Sequence, residues 1–274
     1  MKITGKTRIT GLFGYPVEHT LSPSMHNAAF ENLGLDCCYL PFLVHPDSLK
    51  NAVEAIRALN MAGVNVTVPH KENVIPFLDS VNEEASFIGA VNTIVNMKGK
   101  LSGYNTDGRG FMQSLTENQV QVDNKNILIA GAGGASRAVS YYLSEKAGLL
   151  HIFDIDENKL NKLVSDLSKI RSNVSALKNT GNLKEFEIVI NATPLGLRKE
   201  DPLPFDPSSL DPGHIVCDLI YKKTPLLEYA SKNGCRTIDG SGMLLWQGVL
   251  AFELWTNVSP PVDVMRDALL KGIA

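Results

Sequence analysis

Several things are scarce in this 274-residue chain, and each scarcity excludes a class of protein. No apolar run approaches the roughly 18 residues of a membrane span, and the first ten residues lack the apolar core of a signal peptide. A cytoplasmic protein with no membrane partner is therefore expected. Charge of one sign is also lacking: 26 basic and 29 acidic residues are interspersed for a net −3, so no nucleic acid and no anionic lipid is expected as a partner. Cysteine is sparse. Cys37, Cys38, Cys217 and Cys235 form no CxxC pair and no Cys/His cluster with zinc-ligand spacing, so they read as reduced, buried thiols and no metal is expected. No internal repeat or low-complexity segment is visible, which excludes a solenoid. There remains a chain 44% hydrophobic, able to bury a sizeable core as two domains of ordinary size.

The most informative stretch runs from Ile127 to Ser136: Ile-Leu-Ile-Ala, then Gly131-Ala132-Gly133-Gly134-Ala135, then Ser136 where a third glycine would complete GxGxxG. An apolar strand feeding a glycine turn and an Ala-rich helix makes a phosphate cradle. The glycines let backbone approach a pyrophosphate, and the helix N-terminus offers unpaired N–H groups and a positive dipole end. A second strand, Leu149–Phe153, ends in Asp154, roughly 20 residues on, where a ribose-binding carboxylate belongs. The competing reading, glycines that only pack a helix on a strand, does not account for that acid.

Taken in order, the chain alternates strands and helices. Arg8–Phe13 reads as a strand, and Ser22 as the N-cap of a helix with Pro23 at its first position. Tyr39–Val44 is a strand, 47–59 a helix and Val64–Val68 a strand that places Lys71 just past its carboxyl end, where ligands bind in open α/β sheets. A lone lysine is otherwise a solvated surface charge. Residues 89–96 and 100–104 form a hairpin, and Asp107 opens a helix, where it could serve as no more than a cap. Polar residues 119–126 look like a boundary between halves. Beyond the glycine turn come a helix over 157–170, strands at 188–190, 214–217 and 237–239, a helix begun by Thr224-Pro225, and two closing helices.

Seven ordered motifs resemble the shikimate 5-dehydrogenase family over nearly the whole chain. They are Gly14-Tyr15-Pro16-Val17-Glu18-His19-Thr20-Leu21-Ser22-Pro23-Ser24-Met25-His26-Asn27, Asn65-Val66-Thr67-Val68-Pro69-His70-Lys71, Gly89-Ala90-Val91-Asn92-Thr93, Gly103-Tyr104-Asn105-Thr106-Asp107-Gly108, Gly131-Ala132-Gly133-Gly134-Ala135, Asn191-Ala192-Thr193-Pro194-Leu195-Gly196 and Met243-Leu244-Leu245-Trp246-Gln247. The resemblance implies NAD(P)-dependent, reversible reduction of 3-dehydroshikimate to shikimate in aromatic amino-acid biosynthesis. It implies Lys71 and Asp107 as the catalytic pair, Thr20, Ser22 and Tyr221 around the substrate carboxylate, and Thr67, Asn92 and Gln247 around the ring hydroxyls. Nucleotide contacts fall on Gly131, Ala132, Gly133, Gly134, Ala135, Asp154, Thr193, Gly240 and Met243. The fold implied is α/β in two domains separated by a cleft that closes on its ligands: an N-terminal α/β substrate domain, residues 1–107 plus 241–274, and a Rossmann-type doubly wound cofactor domain, residues 108–240. Monomer and homodimer are both compatible with the sequence.

The chemistry agrees. Hydride reduction of a ketone creates an alkoxide, so the site needs a positive group beside that oxygen and a route for a proton. Lys71 can supply both, either donating the proton itself or polarising the oxygen while a hydroxyl or water relays it, with Asp107 orienting it. Two departures from the family pattern stand out. Thr20 replaces the usual serine, which crowds the carboxylate end and bears on quinate turnover. Asp154-Ile155-Asp156 replaces the Asn-Arg-Thr run whose arginine pairs with the NADP 2′-phosphate. The family pattern indicates NADP; the local residues favour NAD, since Asp154 can accept from a free 2′-OH and two carboxylates repel a phosphate. Lys159 and Lys162 are the cations near enough in sequence to offset this. Besides the biosynthetic enzyme, the sequence admits an NAD-dependent quinate/shikimate dehydrogenase and, more remotely, a dinucleotide-binding sensor without turnover.

Overall fold

The computed structural model describes residues 3–198 and 200–273. In chain order the elements are β1 (Arg8–Gly14), α1 (Ser22–Asn32), β2 (Cys37–Leu43), α2 (Leu49–Ala58), β3 (Gly63–Val66), β4 (Ser80–Val81), α3 (Glu83–Ile88), β5 (Thr93–Met97) and β6 (Lys100–Tyr104). They continue as α4 (Asp107–Glu117), β7 (Asn126–Ala130), α5 (Gly134–Lys146), β8 (Leu149–Phe153), α6 (Glu157–Ser168), β9 (Val174–Leu177), β10 (Ile188–Asn191), β11 (Ile215–Asp218), α7 (Pro225–Lys232), β12 (Arg236–Ile238), α8 (Ser241–Thr256) and α9 (Val262–Ile273). The chain divides into two compact units, one ending at Thr106 and resuming at Gln247, the other running from Asp107 to Trp246. Among the described residues no helix is long and apolar enough to cross a membrane.

The first unit is built on a six-stranded mixed sheet in the order β2-β1-β3-β5-β6-β4. β1 pairs in parallel with β2 and β3, while β5 runs antiparallel to both β3 and β6. Successive side chains of a strand point to opposite faces of the sheet, and in β3 this separates apolar from polar residues. Val64 and Val66 enter a core with Phe13, Ile94 and the α2 residues Val53 and Ile56. Asn65, between them, bonds instead to Tyr39 and Thr93 on the other face. There the aromatic rings of His26, Phe30, Tyr39, Phe252 and Trp255 stack together, joining α1 to α8.

The second unit carries a six-stranded, wholly parallel sheet in the order β12-β11-β10-β7-β8-β9. That is the doubly wound, dinucleotide-binding order, with its switch point between β7 and β10. Both faces are covered, so the strands read as continuous apolar runs: Ile127, Leu128, Ile129 and Ala130 are all fully buried, as are Val189 and Ile190.

The structure departs from the sequence expectations at four places. Ser22 is not the N-cap of α1: Leu21 holds that position, and no side chain among the described residues caps the helix. Polar residues 119–126 lie inside the second unit as the turn from α4 to β7. Gln119 and Asn124 adopt positive φ there while Val120 and Val122 plug the core. The C-terminal division between units falls within α8, between Trp246 and Gln247, because one continuous helix spans it. Finally, β4, α3 and β9 have no counterpart in the sequence reading.

Candidate active site

In the second unit the nucleotide cradle forms where β7 runs into α5. Gly131 has φ +112°, and a Cβ there would meet the Ala192 carbonyl oxygen at 2.8 Å, so only glycine lets this loop pass so close to the turn after β10. Ser136 turns inward, donating to the Gly131 carbonyl oxygen at 2.6 Å, which explains why serine suffices at the third glycine position. Gly133 is the N-cap of α5 with no side-chain cap among the described residues, and Cβ atoms built on Gly133 and Gly134 would meet nothing within 4 Å. The backbone of this turn is therefore open to close approach, as an anion requires.

Asp154, one residue past β8, spans two turns. Its Oδ2 accepts from Ala132 N at 2.6 Å and its Oδ1 from Asp156 N at 2.8 Å, fixing the carboxylate beside the glycine turn. Asp156 in turn caps α6, accepting from the backbone N–H of Asn158 and Lys159, bonds that hold its carboxyl below the usual range. Lys159 Nζ lies 3.4 Å from Asp156 Oδ2. Ile155, between the two acids, is 89% exposed.

Across the switch point, Asn191 at the end of β10 accepts from both the backbone N–H and the hydroxyl of Thr193, at 3.0 and 2.7 Å. Its amide donates to Asp218 Oδ2 at 3.1 Å, which also receives the Thr224 hydroxyl at 2.8 Å. Burial pushes the Asp218 carboxyl up, and these donors oppose the shift. The loop after β11, which carries half-buried Tyr221, is thereby tied to the loop carrying Thr193. Gly240 is buried against the Leu219 backbone with its N–H donated to Ile220 O, and Met243 is buried in the first turns of α8.

In the first unit a buried hydrogen-bond network includes Asn92 and the Gln247 carbonyl oxygen, two of the positions expected to meet substrate. The chain entering α1 places Thr20, whose hydroxyl accepts from Ser22 N at 3.4 Å. Thr67 leaves β3 with its N–H on Phe13 O, and half-buried Lys71 comes next, its carbonyl oxygen receiving Val91 N at 2.8 Å. That bond sets Lys71 beside the turn carrying Asn92. Asn92 is 2% exposed; its Nδ2 donates to Thr106 Oγ1 at 2.9 Å, its Oδ1 accepts from Thr106 N at 2.9 Å, and the Thr106 hydroxyl reaches the Gln247 carbonyl oxygen at 3.1 Å. Asp107, next in the chain, is buried at the start of α4, where a negative charge suits the helix dipole. Tyr39, Asn65, Thr93 and Thr106 were missed by sequence reasoning, though the signal was present: polar side chains in the middle of apolar strands must find partners.

A doubly wound sheet with a glycine-rich turn at its switch point and a carboxylate fixed just past β8 has the form of a dinucleotide-binding α/β protein. The shikimate dehydrogenase substrate binding domain matches residues 12–94, and the shikimate 5'-dehydrogenase C-terminal domain matches residues 240–270. The shikimate dehydrogenase (NADP(+)) of Desulforamulus reducens is 50% identical over 286 aligned positions that cover 100% of this chain and 98% of the relative. Among solved structures, a shikimate dehydrogenase in complex with NADP+ superposes with TM-score 0.94 at 39% identity, covering 100% of this chain and 98% of the other. The shikimate 5-dehydrogenase of Listeria monocytogenes, in complex with shikimate and NAD, gives 0.91 at 37%, covering 97% and 98%. The chain belongs to the shikimate dehydrogenase family.

Proposed function

We propose that this chain catalyses the reversible, nicotinamide-dinucleotide-dependent interconversion of shikimate and 3-dehydroshikimate. The observation that carries the reading is the buried network that bonds Tyr39, Asn65, Thr93, Asn92 and Thr106 to the Gln247 carbonyl oxygen. Its members come from β2, β3, β5, the turns before β5 and α4, and α8, and two of them, Asn92 and Gln247, are positions the family motifs assign to the ring hydroxyls of the substrate.

The residues divide the work. The hydroxyls of Thr20 and Ser22, with Tyr221, hold the substrate carboxylate, while Thr67, Asn92 and Gln247 take the ring hydroxyls. Lys71 stands as the acid/base: its ammonium sits beside the reacting oxygen, stabilises alkoxide character there and exchanges the proton. Asp107 orients Lys71 and a ring hydroxyl. The bound dinucleotide supplies or accepts the hydride. Its pyrophosphate suits the glycine turn at the start of α5 and its ribose the Asp154 carboxylate, with Thr193, Gly240 and Met243 as further contacts to the dinucleotide.

We propose further that NAD is preferred over NADP. Both acids after β8 are fixed by backbone donors, Lys159 is already beside Asp156, and Ile155 stands where an arginine would pair with a 2′-phosphate. Purified protein mixed with shikimate and oxidised dinucleotide should form reduced nicotinamide. Cofactor binding without any such turnover would leave the sensor reading in its place.

A further inference from the structure

At the carboxyl edge of the second sheet one buried carboxylate joins three segments of the chain. Asp218 is the last residue of β11. Its Oδ1 accepts from Ile220 N at 3.0 Å, and its Oδ2 accepts from Asn191 Nδ2 at 3.1 Å and from the Thr224 hydroxyl at 2.8 Å. All three partners are donors, which suits an ionised carboxylate, since it only accepts.

The partners are themselves fixed. The Asn191 amide cannot turn over, because its Oδ1 takes the Thr193 N–H and its Nδ2 also donates to Leu195 O at 3.0 Å. Thr224 is the N-cap of α7, and its hydroxyl accepts from Leu227 N while it donates to Asp218. Oδ2 is thus moored to the loop after β10 and to the start of a helix, which leaves Oδ1 to hold the loop that follows β11. On that loop Leu219 N donates to Asn191 O, and Ile220 is bonded through both its N–H and its carbonyl oxygen, the latter receiving Gly240 N at 3.0 Å. Tyr221 is the next residue. A carboxylate accepting from the N–H two residues on is by itself ordinary loop architecture. Here the same carboxylate is buried and its second oxygen is tied to two other segments, so the turn is referenced to the loop that carries Thr193.

We infer that Asp218 is a positioning residue for substrate binding: it sets the loop bearing Tyr221 against the loop bearing Thr193, so that the Tyr221 phenol is offered to the substrate carboxylate from a fixed backbone. This rests on the substrate reading of Tyr221 given above. Loss of the Oδ1 bond frees the Ile220 N–H and with it the backbone that aims the phenol, which weakens binding of shikimate while the moorings of the Thr193 loop remain.

The test is a double-mutant cycle on Asp218→Asn and Tyr221→Phe, measured by steady-state kinetics with thermal unfolding alongside. Asp218→Asn keeps the shape of the side chain. Its amide oxygen stays where two donors converge and its NH2 is turned against the Ile220 N–H, which releases the Tyr221 loop. KM for shikimate should rise by about fivefold or more while KM for the dinucleotide stays within about twofold, a split that a general loss of stability does not produce. In the Tyr221→Phe background the rise should shrink to within about twofold, because residues that act through one another do not add. Thr224→Val withdraws one donor from Oδ2 and should move KM for shikimate in the same direction, with Thr224→Ser restoring it; this pair serves if Asp218→Asn does not fold. Three results overturn the inference: KM for shikimate unmoved by Asp218→Asn and by Thr224→Val, a rise of equal size with and without the Tyr221 phenol, or the KM values for shikimate and dinucleotide rising together. If Tyr221→Phe alone leaves KM for shikimate unchanged, the substrate reading of Tyr221 falls and the inference with it.

Discussion

Asn92 and Thr106 hold each other by two bonds of 2.9 Å, Nδ2 to Oγ1 in one direction and the Thr106 backbone N–H to Oδ1 in the other. The pair closes the open end of the hairpin, joining the residue before β5 to the second residue after β6. Asn92→Ala would leave the Thr106 N–H buried and unpaired, a loss of about 1–3 kcal/mol. We expect lower stability in urea and kcat/KM for shikimate reduced by about ten- to a hundredfold, since substrate binding is disturbed. Wild-type stability in Asn92→Ala would show that the pair does not brace this turn.

His26 supplies a pH prediction. It is fully buried between Tyr39 and Phe252, with Trp255 as the third ring, and neither ring nitrogen has a hydrogen-bond partner among the described residues. Burial lowers its pKa to about 3 from 6.5. The unfolded chain takes up a proton below pH 6.5 that the native state refuses until pH nears 3, so stability is full above 6.5 and falls with pH across that window. The slope from this one group approaches about 1.4 kcal/mol per pH unit. Denaturation from pH 7 to 4 should show a shallower decline in His26→Phe than in wild type, by about one proton. Parallel curves would remove His26 from the account.

Gly131→Ala joins two costs, a positive φ that an L side chain resists and a Cβ driven against the Ala192 carbonyl. Backbone strain of this kind costs about 1–3 kcal/mol. The unfolding midpoint should drop, and KM for the dinucleotide should rise while KM for shikimate stays near wild type.

Cofactor choice is open to direct comparison. With Asp154 and Asp156 fixed and Ile155 exposed between them, kcat/KM should be higher with NAD than with NADP, and Ile155→Arg should move the ratio toward NADP. Running shikimate and quinate with each dinucleotide also shows whether Thr20 excludes the extra hydroxyl of quinate. A preference for NADP of tenfold or more, about 1.4 kcal/mol, would contradict the carboxylate argument and direct attention to Lys159 and Lys162.

Much of this architecture could be read from residues whose pattern and neighbours agree. The strand from Ile127 to Ala130, the glycine turn and Asp154 at the end of β8 lie where the spacing places them, because continuous apolar runs and tight turns are local signals. Of the elements missed, α3 had local signals, an Asn82 cap and Gly89 in the left-handed region at its end, whereas β4 and β9 depend on distant partners. Two-residue β4 exists only through its pairing with β6, and β9 is an edge strand whose Ser175 bonds to His151. Ser22 shows the limit within the site. Next to Pro23 it has the local signature of a cap, yet the helix takes Leu21 as its N-cap and has no side-chain cap among the described residues. Strand order in the mixed sheet and the side-chain bonds made by Asn65 are likewise set by tertiary contacts that no local window contains.

The central claim, that Lys71 carries the proton for shikimate oxidation, is tested most directly by the kcat of Lys71→Ala against wild type at saturating shikimate and dinucleotide. The account predicts a fall of about 10²- to 10⁴-fold with KM for shikimate changed far less. A variant that keeps kcat within about threefold of wild type would contradict it.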